Sequence, residues 1–207
     1  MRPAHRALAS LAGLGLLSLD VRRHGRLAQA DERILESVAR LPHPPALVRA
    51  ARIVTGLGDS KVAWLLGPAL AALAPATPAR AAGAAGAAAK ATADIMVGSA
   101  VRKVACAVIA RSRPPSRYWL AHPVGHSFPS RHTTYAALAL GAGTRGYPPR
   151  VRQAAAVLCL AVGISRVYLG VHWSTDVAGG WLLAASWLSA AEVLESRQAA
   201  SSSRADQ

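Results

Sequence analysis

Acidic residues are scarce in this chain and almost absent from its middle. The 207 residues contain 24 Lys and Arg against 10 Asp and Glu, which gives a formal net charge of +14. Between Ile95 and Ala191 the single carboxylate is Asp176, while nine arginines fall in the same stretch. A cation site needs several acidic ligands. This stretch therefore disfavours a cation site and favours a site that holds an anion.

Cysteines and charged residues are also few. Cys106 and Cys159 are the only cysteines, and both lie in apolar stretches, which predicts buried thiols and no zinc site. Charged residues make up 16% of the chain and hydrophobic residues 52%. A basic, apolar composition is typical of nucleic-acid binders and of membrane proteins. Because the arginines lie in short segments between apolar runs, we do not expect nucleic acid as a partner.

Apolar runs separated by prolines and turns predict an all-α fold, a membrane-embedded bundle of about five to six long helices. Few runs reach the roughly 20 residues of an ordinary membrane span, but small residues allow close helix packing in a bilayer. The first predicted helix is 31–41, and the second follows the turn at 56–60. The third runs from beyond Pro75 and Pro78 to Ala110, and the last three are 131–143, 151–170 and 174–195.

Three segments follow from this pattern. Residues 1–30 form a basic and apolar N-terminal segment, 31–195 the helical membrane domain, and 196–207 a disordered tail. The apolar run near the N-terminus predicts a short first span or a surface helix, since arginines follow it where a cleavable signal would not have them.

Loop arginines predict the orientation in the membrane. Arg145, Arg150 and Arg152 form a basic turn between two spans, and the positive-inside rule places that turn on the cytoplasmic side. The loop 111–129 and the corner 166–176 then lie together on the outer face.

Two short stretches of the predicted membrane domain, 129–132 and 111–113, are suited to holding a phosphate. Pro129 and Ser130 open a helix, so Ser130 is a natural N-cap, and the free N–H groups of the first turn can bind an anion. His132 lies in that turn, where it can donate a proton to an ester oxygen. Upstream, Arg111 and Arg113 supply guanidinium groups, which bind phosphate in a bidentate manner.

A third short stretch, 165–176, carries a candidate nucleophile. His172 and Asp176 are four residues apart, which places them on one face of a helix. A carboxylate bonded to one ring nitrogen fixes the tautomer and leaves the other nitrogen free to attack. Arg166, about two turns upstream, adds a further guanidinium group.

These segments together resemble the signature of the type 2 phosphatidic acid phosphatase (PAP2) superfamily, which includes the vanadium haloperoxidases. The family pattern is Lys-x6-Arg-Pro, then Pro-Ser-Gly-His, then Ser-Arg-x5-His-x3-Asp. The third motif matches fully at Ser165, Arg166, His172 and Asp176. The second matches at Pro129, Ser130 and His132, with Arg131 in place of glycine. The first matches at Arg113 and Pro114, but Cys106 stands at the lysine position.

The resemblance implies a PAP2/haloperoxidase-like core and a membrane phosphatase that uses no metal and no cofactor. His172 would attack phosphorus and form a phosphohistidine, Asp176 would orient it, and His132 would protonate the leaving oxygen. The phosphoryl oxygens would be held by Arg113, Arg166, Ser130 and Arg131. Because the motif lysine is missing, we expect Lys103, one turn from Cys106, or Arg111 to replace it.

The expected partners are membrane lipids and a lipid phosphate substrate: phosphatidic acid, phosphatidylglycerophosphate, a polyprenyl phosphate or diphosphate, or decaprenylphosphoryl-phosphoribose. Two other interpretations stay open. One is a catalytically impaired membrane protein that binds anionic lipid head groups, for which His172 and Asp176 would be dispensable. The other is a metal site at His122, His126 and His132, although prolines break its ligand spacing and no acid completes the shell.

Overall fold

Eight α-helices form most of the protein in the computed structural model, which describes residues 2–75 and 83–205. They are α1 Pro3–Arg22, α2 Arg26–Ala39, α3 Pro45–Gly56, α4 Ser60–Leu73, α5 Gly83–Ile109, α6 Arg131–Gly143, α7 Pro149–Tyr168 and α8 Ser174–Ala205. A short 3-10 helix, Ser116–Tyr118, lies in the loop between α5 and α6. No strand occurs in the described ranges, and the all-α prediction is confirmed.

The helices are more numerous than the five or six that the sequence predicts. α3 was not expected, because Arg49 and Arg52 interrupt its apolar pattern. A signal for it exists: Pro45 occupies the first turn, where the missing N–H of proline is of no consequence. α6 has the predicted bounds, and α7 and α8 begin at or within two residues of the predicted positions.

Two of the predicted boundaries differ from the structure. The boundary between 1–30 and 31–195 falls inside α2. α8 continues to Ala205, into the segment predicted to be a disordered tail, because the glutamine, alanine and serine residues there are compatible with a helix. The proposed break at Pro78 lies outside the described residues.

The N-terminal helix packs on the last helix and on the loop before α6. Leu17 and Val21 of α1 are buried together with Phe128, and Leu182 of α8 packs against this cluster. α1 therefore supports the segment that leads into Ser130.

α6 lies at the centre of the bundle, in contact with α4, α5, α7 and α8. Small residues permit a close approach to α4: a Cβ on Gly143 would stand 2.8 Å from the carbonyl oxygen of Gly67. On another face Leu138 is buried against Ile95 of α5. The middle and the C-terminal end of α6 are thus held by packing on several sides.

Two helices in the described ranges, α7 and α8, are long and apolar enough to cross a bilayer. Only 33% and 39% of their most apolar windows are buried inside the bundle, whereas a core helix of a soluble protein is mostly buried. Large apolar side chains on other helices are also exposed, among them Leu8, Leu16, Leu65 and Val104. Such a surface suits a lipid environment.

Cations are paired with acids at the end of the bundle that carries the α6–α7 turn. Asp94 of α5 is buried; it accepts from Lys90 at 2.9 Å and from Arg145. Arg6 of α1 pairs with Glu192 of α8. These ion pairs join α1, α5, α8 and the turn after α6.

We expect Gly143→Ala to destabilise the protein by about 1–3 kcal/mol, because the added methyl group forces the α4 and α6 backbones apart. Gly15→Ala is the matched control: it makes the same change in a helix, at a position where a Cβ meets nothing within 4 Å. The control should gain about 0.5–1 kcal/mol from helix propensity. Thermal unfolding in one detergent measures both variants. A Gly143→Ala midpoint at or above that of Gly15→Ala would contradict the close helix crossing.

Candidate active site

The corner between α7 and α8 places His172 beside the loop that precedes α6. Gly170 makes this corner with a φ of 69°, and a Cβ there would stand 2.0 Å from the carbonyl oxygen of Tyr118, so only glycine fits. The indole Nε1 of Trp173 donates to the carbonyl of Ser112 at 3.0 Å. The loop 111–129 and the corner 166–176 therefore lie together, as the loop arginines predict.

His172 is held by Asp176 on one side and faces Arg113 on the other. Its Nδ1 lies 3.3 Å from Oδ2 of Asp176, and its Nε2 lies 3.1 Å from Nη1 of Arg113. Because a guanidinium group only donates, Nε2 is the acceptor and Nδ1 carries the proton. Burial lowers the pKa of His172 to about 4 from its ordinary 6.5, although the hydrogen bond and charge of Asp176 oppose this shift. The ring is thus neutral, with the Nε2 lone pair directed at Arg113.

Asp176 is fully buried and joins several segments of the site. Its Oδ1 accepts from Nη1 of Arg111 at 2.7 Å, and its Oδ2 accepts from the backbone N–H of Trp173 at 3.0 Å. Its backbone carbonyl accepts from the N–H of Ser130 at 3.0 Å. The residue that orients His172 therefore also fixes the start of α6.

The guanidinium group of Arg111 is bonded to two carboxylates of the protein. It was expected to bind substrate or to replace the motif lysine, but its Nη1 is bonded to Asp176 and its Nη2 donates to Asp31 at 2.7 Å. Its guanidinium group also lies 5.3 Å from the centre of the Trp173 ring. Both Nη atoms of Arg111 are bonded to carboxylates, so this arginine helps to hold Asp176 in place.

Asp31 is a site residue that sequence reasoning missed. Its carboxylate accepts from Arg111, from the backbone N–H of Thr175 at 3.0 Å, and from the hydroxyl groups of Ser174 and Thr175. It therefore caps the start of α8 from another helix. The signal in the sequence is that Asp31 lies on the face of α2 that also buries Ala28 and Leu35, a position where an amphipathic helix should be apolar.

Ser130 is the N-cap of α6, as predicted. Its Oγ accepts from the backbone N–H of Thr133 at 3.5 Å and from the Thr133 hydroxyl at 2.9 Å. The hydroxyl hydrogen of Ser130 is left to donate. The N–H groups of the first turn, including that of Arg131, lack partners within the helix and lie beside it.

Arg166 is a buried guanidinium group with few protein partners. Its Nη1 lies 3.1 Å from the hydroxyl of Thr55, and its Nε is buried without a hydrogen-bond partner. The positive charges of Arg113 and Arg131 act on it. A buried cation whose N–H groups lack hydrogen-bond partners costs free energy. A bound anion would supply the acceptor that Nε of Arg166 lacks.

His132 lies within electrostatic reach of His172 and of the same arginines. The charges of Arg166, Arg131, His172 and Arg113 all act on its ring, and Arg113 and Arg166 act on His172 in turn. The carbonyl oxygen of His132 packs so closely on Gly58 that a Cβ there would stand 2.3 Å away. The α3–α4 turn thus holds the first turn of α6 in position.

Arg113 directs all of its N–H groups at the protein. Nε donates to Gly125 at 2.7 Å, Nη2 donates to Val124 and His126, and Nη1 contacts the carbonyl of Val171 and Nε2 of His172. Burial lowers the pKa of Arg113, and the charge of Asp176 opposes that effect. In this arrangement Arg113 positions His172 and the 124–126 segment.

Lys103 does not reach the site, contrary to the sequence-based expectation. Its side chain is exposed, whereas the neighbouring Arg102 is buried. Nε of Arg102 donates to the carbonyl of Pro129 at 3.1 Å, and its Nη2 contacts Sγ of Cys106 at 3.5 Å. The two residues are adjacent on α5, so one turns inward and the other outward.

Within the part of the chain that the structure describes, four of the arginines near His172 and the start of α6 form no ion pair. In residues 2–75 and 83–205, no carboxylate lies within salt-bridge distance of Arg102, Arg113, Arg131 or Arg166. The same ranges contain no group of three or more His, Cys, Asp and Glu side chains arranged to hold a metal ion. What the arrangement can do is bind an anion between guanidinium groups and helix N–H groups, next to a neutral imidazole.

Comparison with known proteins agrees with these motifs. The family model of the PAP2 superfamily matches residues 88–198. Decaprenylphosphoryl-5-phosphoribose phosphatase of Mycobacterium tuberculosis is 33% identical over 148 residues, which are 69% of this chain and 77% of the relative. The protein of the same name from Mycolicibacterium smegmatis is 34% identical over 164 residues, 73% of this chain and 82% of the relative.

A relative matched over a shorter stretch and a solved structure extend the comparison. Undecaprenyl-diphosphatase of Sulfolobus acidocaldarius is 33% identical over 87 residues, 40% of this chain and 42% of the relative. The crystal structure of a transmembrane PAP2 type phosphatidylglycerolphosphate phosphatase from Bacillus subtilis superposes with a TM-score of 0.76. The superposition covers 93% of this chain and 97% of the B. subtilis chain, at 24% sequence identity. The two proteins therefore share the fold.

We expect Asp31→Asn to destabilise the protein by roughly 2 kcal/mol or more, because Arg111 loses a buried charged partner. Glu32→Gln is the matched control, since Glu32 is the next residue on α2 and is exposed. Thermal unfolding in detergent measures both changes. Equal midpoints for the two variants would contradict the supporting role of Asp31.

We expect the ring of His172 to stay neutral until the pH falls to about 4. NMR titration of ring-labelled histidine would follow it, with His172→Gln assigning the signal. Asp176→Asn should move the midpoint lower still, because the carboxylate is what favours the protonated ring. A midpoint near 6.5, the ordinary value, would show that the ring is exposed to water.

Proposed function

Because this chain belongs to the PAP2 superfamily, we propose that it is a membrane phosphatase that hydrolyses a lipid phosphate through a phosphohistidine intermediate. The active site is formed by His172, His132 and Asp176, with Arg166, Arg113, Ser130 and Arg131 around the phosphoryl group. The chemistry needs no metal ion, since guanidinium groups supply the positive charge.

The observation that carries this proposal is the cluster of uncompensated guanidinium groups around one oriented imidazole. A buried cation without a counter-ion destabilises a fold, and at the opposite end of the bundle the cations do have acidic partners. A tetrahedral anion with its negative oxygens would remove this cost. Its phosphorus would then lie in front of the Nε2 lone pair of His172.

In the first step Nε2 of His172 attacks phosphorus. The N–P bond forms as the bond from phosphorus to the lipid oxygen breaks, and that oxygen takes a proton from the imidazolium form of His132. The negative charge of the bound phosphate stabilises this imidazolium among the arginines. The positive charge that develops on His172 is stabilised by Asp176 through the Nδ1–H group.

In the second step water releases the phosphate. Neutral His132 takes a proton from a water molecule whose oxygen attacks phosphorus, and the N–P bond breaks with its electron pair returning to Nε2. The products are inorganic phosphate and a dephosphorylated lipid.

Arg113 must release its bond to Nε2 of His172 before the attack of the first step, because one lone pair cannot serve both the guanidinium group and phosphorus.

The relatives and the apolar surface support a lipid substrate. The M. tuberculosis and M. smegmatis relatives are named for decaprenylphosphoryl-5-phosphoribose, and the S. acidocaldarius relative is an undecaprenyl-diphosphatase. We propose a polyprenyl phosphate ester as the leading substrate. The helices would cross the membrane several times, and the basic α6–α7 turn would place the site on the extracytoplasmic face.

We expect the purified protein to release phosphate from at least one lipid in a panel of decaprenylphosphoryl-phosphoribose, polyprenyl diphosphate, phosphatidylglycerophosphate and phosphatidic acid. His172→Ala should lower kcat on the order of a thousandfold or more, as removal of a nucleophile does. His132→Ala should accumulate an acid-labile, base-stable phosphoenzyme when the substrate has a good leaving group.

Controls distinguish the other interpretations. Arg150→Ala changes an exposed arginine at the far end of the bundle and should leave turnover unchanged. EDTA should not inhibit the enzyme, whereas vanadate should. Full activity in His172→Ala, or lipid binding without turnover in the wild type, would instead support a protein that only binds anionic head groups.

A further inference from the structure

Arg102 is a buried cation to which the proposed mechanism gives no role. It lies on the inner face of α5, where its side chain is only 9% exposed. The charge of Arg131 acts on it, and its own charge acts on Arg113. The bond from its Nε to the carbonyl of Pro129, the residue before Ser130, places Arg102 at the start of α6 with the motif arginines.

The hydrogen bonds of Arg102 leave part of its guanidinium group unused. Its Nε donates to the carbonyl of Pro129 and its Nη2 to Sγ of Cys106. A thiol is a weak acceptor, and within residues 2–75 and 83–205 Nη1 of Arg102 makes no hydrogen bond or ion pair. The Pro129 contact holds the guanidinium group directly before the first turn of α6, where an anion would lie.

Cys106 explains why this arrangement fits. Cys106 lies one helical turn after Arg102 and stands at the position where the family pattern has lysine. Its side chain is short, and the Arg102 guanidinium group lies against its sulfur at 3.5 Å. The space that a longer side chain at 106 would take is thus occupied by a charge that comes from residue 102.

We propose that Arg102 supplies the cation missing at position 106 and donates a hydrogen bond to a phosphoryl oxygen of the substrate. This inference rests on the proposed phosphatase function and adds a substrate-binding residue to it. It replaces Lys103 and Arg111 as the candidates for this role, since Lys103 is exposed and Arg111 is bonded to two carboxylates.

The test moves the charge between the two positions. Arg102→Met removes it and should lower kcat/KM about 10- to 100-fold, as the loss of one charged donor to a transition state does. Arg102→Lys should retain part of the activity. Arg102→Met combined with Cys106→Lys should recover at least about a tenth of wild-type kcat/KM, because the lysine places an ammonium group in the vacated space.

Binding provides a readout that does not depend on turnover. Inorganic phosphate should raise the unfolding midpoint of the wild type and of the Arg102→Met, Cys106→Lys double variant, and raise that of Arg102→Met much less. Without phosphate, Arg102→Met should unfold no earlier than the wild type, because it removes a buried charge among like charges. This comparison separates loss of a ligand contact from loss of the fold.

The outcomes distinguish this inference from the proposed function. If the wild type hydrolyses lipid phosphate and Arg102→Met keeps full kcat/KM, the role of Arg102 is wrong and the phosphatase stands. A loss in Lys103→Met equal to that in Arg102→Met would also overturn the assignment, as would failure of the double variant to recover both activity and the phosphate effect. If the wild type hydrolyses nothing but the phosphate-induced stabilisation still depends on Arg102, the proposed function fails while the anion contact stands.

Discussion

The site depends on the burial of one carboxylate, Asp176. A buried carboxylate must have its oxygens hydrogen-bonded, and the partners of Asp176 come from the loop after α5, from the corner before α8 and from His172. The bond from Arg111 is 2.7 Å long and the one from His172 is 3.3 Å. Arg111 makes the shorter bond and neutralises the buried carboxylate, while Asp176 orients the imidazole through its other oxygen. The same residue anchors Ser130 through its backbone carbonyl, so nucleophile and phosphate-binding turn share one support.

Local patterns in the sequence predicted the parts of this site that local geometry determines. The four-residue spacing of His172 and Asp176 and the Ser130 cap needed no knowledge of the fold. The direction in which α5 faces could not be predicted, because alanines and other apolar residues surround the helix on all sides and leave no polar face. The choice between Arg102 and Lys103 depends on that direction. Asp31 was missed for a related reason: its partners, Arg111 and Thr175, are distant in sequence.

The two ends of the bundle use charge in opposite ways. Near the α6–α7 turn, Asp94 and Glu192 pair with cations from other helices and join those helices. At the other end Arg111 is paired with Asp31 and Asp176. Within the described residues the remaining arginines of the site, Arg102, Arg113, Arg131 and Arg166, have no ion-pair partner, an arrangement that opposes folding. Close packing around α6 compensates, since Gly67, Gly143 and Leu138 hold that helix against its neighbours. The stability gained in the centre of the bundle therefore permits an unfavourable charge distribution where chemistry takes place.

The saturated guanidinium group of Arg113 has a thermodynamic consequence. A phosphoryl oxygen that accepts from this arginine must displace one of the acceptors already bonded to it, which are four backbone carbonyls and Nε2 of His172. The carbonyls of Val124, Gly125 and His126 belong to exposed residues, so water can rehydrate them at little cost, whereas Val171 is buried. The reaction itself frees one N–H of Arg113, since Nε2 of His172 leaves it before the attack. A second contact between Arg113 and the anion must displace a carbonyl of the 124–126 segment, so bidentate binding and attachment of that segment are competing equilibria with reciprocal linkage.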